Sequence, residues 1–170
     1  MTLIVEDGSG ITGAEAYVSV ATADAYFAAR THLTLYATWS GLTTAQKEGC
    51  LREGADYLDA EFGSQYRGSR AGRIQGKLWP RVNALDDEGY ILSNLPIELQ
   101  QANCELAARA ATAPLANDLE RGGNIKRMKA GSVELEYSEG APIATSYGIV
   151  TKLLAPILNC TQEGGKWGWL

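Results

Sequence analysis

The sequence predicts a mainly α-helical domain: a small bundle of about four helices with one long irregular loop, a β-hairpin and extended terminal arms. Three observations carry that expectation. Apolar residues recur at three- and four-residue steps in four separate segments, and several of these segments have recognisable caps. Between residues 63 and 95, glycines and a Trp-Pro pair interrupt any helical period. Near residue 130 the pattern switches to strict alternation, the period of a strand.

Leu3-Ile4-Val5 reads as a short extended arm that the turn formers Glu6-Asp7-Gly8-Ser9-Gly10 bring to an end. Ser19 or Thr22 is placed to cap a first helix running to Arg30, with Val20, Ala23 and Phe27 as its apolar stripe. Thr43 and Gln46 match a capping box, in which each side chain satisfies a backbone N–H of the other's end of the first turn. The helix they open places Leu51, Ala55, Leu58 and Phe62 on one face, and Gly63 stands where a helix commonly stops. Pro96 suits the first position of a third helix, whose stripe is Leu99, Ala102, Leu106, Ala110 and Ala113 and which Pro114 ends. Ile125 to Tyr137 reads as a hairpin turning at Ala130-Gly131, which sets Arg127 opposite Glu134 and a basic strand (Lys126, Arg127, Lys129) against an acidic one (Glu134, Glu136). Ile149 or Val150, Leu153, Leu154, Ile157 and Leu158 form a fourth helical segment, bent or ended near Pro156. Residues 1–158 are thus expected to make one domain that includes the hairpin at 125–137. Residues 159–170, rich in glycine and carrying Trp167, Trp169 and Leu170, are expected to be a flexible tail.

Composition narrows the function. With 45% hydrophobic and 21% charged residues the chain has the apolar content to fold, and its 170 residues suffice for one core. A net charge of -5 argues against a surface that grips nucleic acid everywhere, so any DNA contact is local. No basic segment precedes an apolar run at the start, and no stretch has the roughly 20 apolar residues that span a bilayer, so no membrane partner is expected. Cys50, Cys104 and Cys160 are odd in number and widely spaced, which favours buried free thiols over a disulfide or zinc framework.

Reactive chemistry is not written in the motifs. The lone His32 has no nucleophile motif beside it and reads as a surface or capping residue. Gly8-Ser9-Gly10 and Gly122-Gly123 lack the Lys and Ser/Thr of a phosphate loop. Asp86-Asp87-Glu88-Gly89 lacks the spaced oxygen ligands of a calcium loop and reads as an acidic turn. No catalytic residue, cofactor or metal is expected. The best candidate for nucleic-acid contact is Arg67, Arg70, Arg73, Lys77 and Arg81, interleaved with Tyr66 and Trp79, since cations follow phosphates while aromatic rings stack bases. The weightier alternative is that Trp79 anchors the loop to the helices and the cations are solvated or pair with acids.

Met1-Thr2-Leu3-Ile4-Val5-Glu6-Asp7-Gly8, Tyr17-Val18-Ser19 and Ala23-Asp24-Ala25-Tyr26-Phe27 resemble the opening of a family of tailed-phage head-tail connectors, or neck adaptors. Ala55-Asp56-Tyr57-Leu58-Asp59, Trp79-Pro80-Arg81, the Pro96 helix, Leu119-Glu120-Arg121-Gly122-Gly123 and Leu153-Leu154-Ala155-Pro156 extend the match over most of the chain. Such sequences also carry the label of DnaT-like single-stranded DNA-binding replication protein, which makes that the alternative function. The connector resemblance implies a non-enzymatic homo-oligomeric ring, commonly of twelve copies, in the virion neck after synthesis in the bacterial host cytoplasm. It also implies a portal protein and a tail or tail-terminator protein as partners, with viral double-stranded DNA passing through the channel. On that expectation Arg127, Lys129, Glu134 and Glu136 lie at the subunit interface. Leu153, Leu154, Ile157, Leu158, Trp167, Trp169 and Leu170 would dock on the portal, because aromatic anchors on a glycine-flanked tail call for somewhere to bury.

Overall fold

A computed structural model describes residues 2–116, 127–130, 133–136 and 147–159 of the chain. Its described part is mainly helical, as expected, with five helices rather than about four. Helix α1 spans Val20–Ala28, and the Ser19 hydroxyl accepts the Thr22 N–H at 3.1 Å, leaving Thr22 inside the first turn. It stops two residues before Arg30, whose N–H turns back to the Phe27 carbonyl. Helix α2, Thr34–Ser40, has no counterpart among the expected elements. Leu33 caps it without a side-chain hydrogen bond, so it carries no polar start signal; it exists to place Trp39. That ring is fully buried 5.4 Å from Phe27, and its indole N–H donates to Asp24 at 2.7 Å.

Helix α3, Thr44–Phe62, opens on the Thr43/Gln46 capping box and buries Leu51, Ala55, Leu58 and Phe62. A short 3-10 turn follows at Gly63–Gln65. Helix α4, Ile97–Ala110, packs along α3 so closely that a Cβ on Gly54 would lie 2.9 Å from Asn103 Nδ2 and 3.2 Å from the Ala107 N. Pro96 is its cap and not its first residue, and Ala113 lies beyond its end, exposed. The expected stripe describes only one face of α4, for every residue from Ala102 to Ala108 is buried. This is the central helix, and its interior polar groups are paired as burial requires. Asn103 accepts from the Tyr17 N–H and donates to the Leu51 carbonyl, both at 3.1 Å, while Glu105 accepts from the Tyr26 hydroxyl at 2.9 Å and from Arg109 at 2.6 Å.

Helix α5, Gly148–Leu154, packs on α4 and tightens into a 3-10 turn at Ala155–Ile157 that contains Pro156. The N-terminal segment has the extended backbone expected of an arm, but it folds onto the body. Val5 forms a parallel bridge with Ala16, Ala14 and Ala16 to Val18 join the core, and the buried Glu6 carboxylate accepts the N–H groups of Gly8, Gly10 and Ile11 at 2.8–2.9 Å.

Two small antiparallel pairs complete the described fold. Strands β1 (Ser69–Arg70) and β2 (Arg81–Val82) close the base of the long loop. Strands β3 (Arg127–Ala130) and β4 (Val133–Glu136) are the expected hairpin, with a corrected register. Arg127 pairs with Glu136 and Lys129 with Glu134, because the last pair is Ala130–Val133 and the connection is residues 131 and 132. Moving a turn by one residue moves each partner by two, so Arg127 is not opposite Glu134, yet a basic residue still faces an acidic one at two positions.

Candidate nucleic-acid and partner interface

The loop from Tyr66 to Leu95 carries the residues singled out for nucleic-acid contact, and the fold uses most of them internally. Tyr66 is buried, its hydroxyl donates to the Leu58 carbonyl at 3.2 Å, and its ring meets Trp79 edge-on at 6.0 Å between centroids. Trp79, preceding a cis proline, is fully buried, and its indole N–H has no partner among the described residues. It has no face left for a base. Gly68 makes the turn possible: its φ of +69° suits glycine, and a Cβ there would come within 2.4 Å of the Val82 carbonyl oxygen.

Three of the five cations are committed within the fold. Arg81 donates to the carbonyls of Arg67 at 2.6 Å and Gly68 at 2.7 Å, with longer contacts of 3.4 Å to Tyr66 and Leu78. Burial of that guanidinium lowers its pKa from the usual arginine range. Arg67 reaches Leu158 O at 2.8 Å and Leu85 O at 3.0 Å, and pairs with Asp87. Lys77, only 6% exposed, pairs with Asp56. Beside it Tyr17 donates to Asp59 and receives the Leu78 N–H at 3.1 Å. Burial raises the pKa of both the Asp59 carboxyl and the Tyr17 hydroxyl. Gln75, which the sequence did not single out, locks the loop from inside by donating to the carbonyls of Lys77 at 2.8 Å and Pro80 at 3.1 Å while accepting from Gly72 at 2.7 Å.

Of the six proposed nucleic-acid residues, Arg67, Lys77, Trp79 and Arg81 therefore serve the fold. Arg70 and Arg73 are exposed and make no ion pair among the described residues. The same loop displays apolar side chains that sequence reasoning passed over: Ile74 is 74% exposed, Tyr90 68% and Ile91 83%, with Val82 and Leu85 nearly half exposed. Leu85 and Ile91 are antiparallel partners, and the turn between them is the expected acidic one, with Asp86 Oδ1 accepting the Glu88 and Tyr90 N–H groups at 2.9 and 2.8 Å. The signal for the exposed Tyr90 and Ile91 was their position directly after a turn, apolar residues with no period to bury them.

The docking set divides. Leu154 and Ile157 are fully buried and Leu158 nearly so, within the core that α5 closes against α4, and only Leu153 retains partial exposure. A surface that faces a partner cannot be built from Leu154, Ile157 and Leu158, and that expectation is corrected: their helical spacing served the domain's own core. Trp167, Trp169 and Leu170 lie outside the described residues, as does Cys160. Cys104 is buried and its thiol is pushed up to about 12, by burial first and then by Glu105, while Cys50 is half-buried. His32 is exposed. Among the described residues no group of His, Cys, Asp and Glu is placed to hold a metal ion, and no helix is long and apolar enough to cross a membrane.

Fold and site together define a small mainly α-helical domain whose long loop is held in part by its own Arg67 and Arg81 and leaves Arg70, Arg73 and several apolar side chains exposed. A family model described as "putative DnaT-like ssDNA binding protein" matches residues 1–168, and the chain belongs to that family. No curated protein and no solved structure gives a match.

Proposed function

We propose that this chain acts by binding and not by catalysis, with single-stranded DNA as its ligand. The observation that carries the reading is the family match, which spans residues 1–168. On this reading the contact lies on the exposed part of the loop. Arg70 and Arg73 supply two uncommitted guanidinium groups for phosphates, and Tyr90 supplies an exposed ring on which a base can stack. So small a set implies a weak, local contact, in keeping with a net charge of -5. A labelled oligonucleotide titrated at several salt concentrations tests this. Two phosphate contacts give a slope of about -1.4 in log K against log salt on a single strand, and the double substitution R70A/R73A abolishes most of it. Absence of binding at low salt, or an unchanged slope in the variant, removes the reading.

A second reading is favoured by one structural observation. Exposed Ile74, Tyr90 and Ile91 on an acidic chain, three of whose five loop cations are committed to its own carbonyls and carboxylates, suit a protein partner as well as they suit DNA. With the sequence resemblance, this supports a phage neck adaptor, a ring subunit between portal and tail with the β3–β4 charges at the subunit contact. Mixing the purified protein with portal and imaging the product by electron microscopy decides it: rings or portal-bound density support the adaptor, and separate particles overturn it.

A further inference from the structure

We propose that copies of this chain join edge to edge through the β3–β4 hairpin, the basic β3 of one copy adding as a strand to the acidic β4 of the next. This gives the subunit contact of the adaptor reading its geometry and direction, and rests on that reading for the existence of an assembly.

The hairpin is too small to stand alone. Among the described residues it is a sheet of two strands, each of four residues. A lone two-stranded hairpin is marginal in water, and independent stability takes three or more strands with an apolar face. The register supplies such a face. Residues directly opposite share one side of a sheet, so positions 127 and 129 lie with 134 and 136, while positions 128, 130, 133 and 135 lie on the other side. The first side holds only charged residues, and the second holds Met128, Ala130, Val133 and Leu135. Further strands in the same register widen the apolar side and give partners to the N–H and C=O groups along the outer edges of β3 and β4.

Charge identifies the strand that is added. Both charged residues of β3, Arg127 and Lys129, are basic, and both of β4, Glu134 and Glu136, are acidic. Within one chain the register already matches Arg127 to Glu136 and Lys129 to Glu134. A two-fold contact would pair β3 with β3 or β4 with β4, setting like charges opposite one another, which is destabilising. Pairing β3 of one copy with β4 of the next repeats the intrachain match and continues the antiparallel alternation. That contact is head-to-tail, the class that closes into a ring or runs on as a filament. A second copy carries the complementary strand by construction, whereas a foreign partner would have to reproduce its spacing of charges.

Partner choice between differently tagged copies tests the proposal in the full chain and needs neither DNA nor portal. Failure to bind portal would sink the adaptor reading and leave this measurement intact; the wrong choice of partner would sink the edge contact and leave the portal measurement intact. At low salt the unaltered chain should pull down its own tagged copy and scatter light as species larger than one copy, and raised salt should disperse them. The swap R127E/K129E/E134K/E136K keeps the intrachain pairs attractive while exchanging the two edges. It should self-associate as the parent does yet fail to pull down the parent, because every mixed contact sets like charge against like. The double variants R127E/K129E and E134K/E136K should each remain single and associate when mixed, which decides the question even where the swap does not fold. A parent that stays single at low salt, a folded swap that stays single or that co-assembles with the parent, or double variants that stay apart on mixing overturn the proposal.

Discussion

The two halves of the long loop have opposite fates. Between Tyr66 and Arg81 the chain is anchored inward at both ends, although Arg70, Arg73 and Ile74 between them are exposed: Trp79 and Tyr66 enter the core, and Arg67, Lys77 and Arg81 are spent on carbonyls and carboxylates. From Val82 to Ile91, Ala84 alone among the apolar side chains is buried; Val82 is left outside on β2, and Leu85, Tyr90 and Ile91 on a bridge and turn that bond mainly within themselves. The difference teaches that a basic, aromatic segment is not a nucleic-acid surface until its cations are shown to be free. A loop without regular secondary structure must satisfy its carbonyls somehow, and arginine, with five donors in a fixed fork, is well suited to gather several at once.

Truncating the anchor breaks the inward half most severely. Trp79→Ala empties the centre of the loop's attachment and should destabilise the domain by about 3–5 kcal/mol, read from denaturant unfolding. A loss below about 1 kcal/mol would mean that the loop is held by its polar bonds alone. Arg81→Met comes next. It keeps much of the stem's packing but leaves the Arg67 and Gly68 carbonyls without their donor, and should cost about 2–3 kcal/mol, the worth of charge-assisted bonds lost at a partly buried site. A variant as stable as the parent would show that water replaces the guanidinium there.

How much of this was legible follows from what kind of signal each feature leaves. The Thr43/Gln46 box and the Leu51–Phe62 face are local patterns, and α3 matches them to within a residue. Trp79 as an anchor was also legible, because a large ring before a proline has few other uses in a long loop. Helix α2 was not legible: it has no polar cap and one buried side chain, so only packing against Phe27 and Asp24 makes it a helix. The targets of Arg67 and Arg81 are backbone carbonyls, which every residue has, so no sequence spacing announces them. The buried Leu154, Ile157 and Leu158 show the converse error, in which a correct helical period was assigned to a partner when the chain's own core needed it.

The two free arginines sharpen the comparison from the other side. R70A/R73A removes as much charge as losing Arg67 and Arg81 would, yet neither side chain has an ion pair or hydrogen bond among the described residues, so the melting curve should move by no more than about 0.5 kcal/mol. If the double variant instead unfolds the loop, these residues belong with the inward half, and the DNA contact proposed for them loses its residues.

The smallest effect is expected at the thiols, and it contrasts the sealed interior with the domain's edge. Burial against α4's neighbours raises the Cys104 thiol to about 12, whereas the half-buried Cys50 is raised for the same first cause, with Glu53 adding to it. A raised thiol pKa means that the native state keeps its proton where the unfolded chain, near its ordinary value of 9.0, has lost it. Its contribution to stability is therefore complete below pH 9 and fades as pH rises toward 12. At pH 8 iodoacetamide should alkylate Cys104 only through unfolding, since both the missing thiolate and the closed packing exclude the reagent. Cys50 should react first, and mass mapping of the labelled peptides separates the two. Equal labelling of Cys50 and Cys104 in the native protein would show that α4 opens without global unfolding, which would undo its place as the rigid centre of the helical body, against α3, to which the inward half of the loop is tied through Leu58, Asp56 and Asp59.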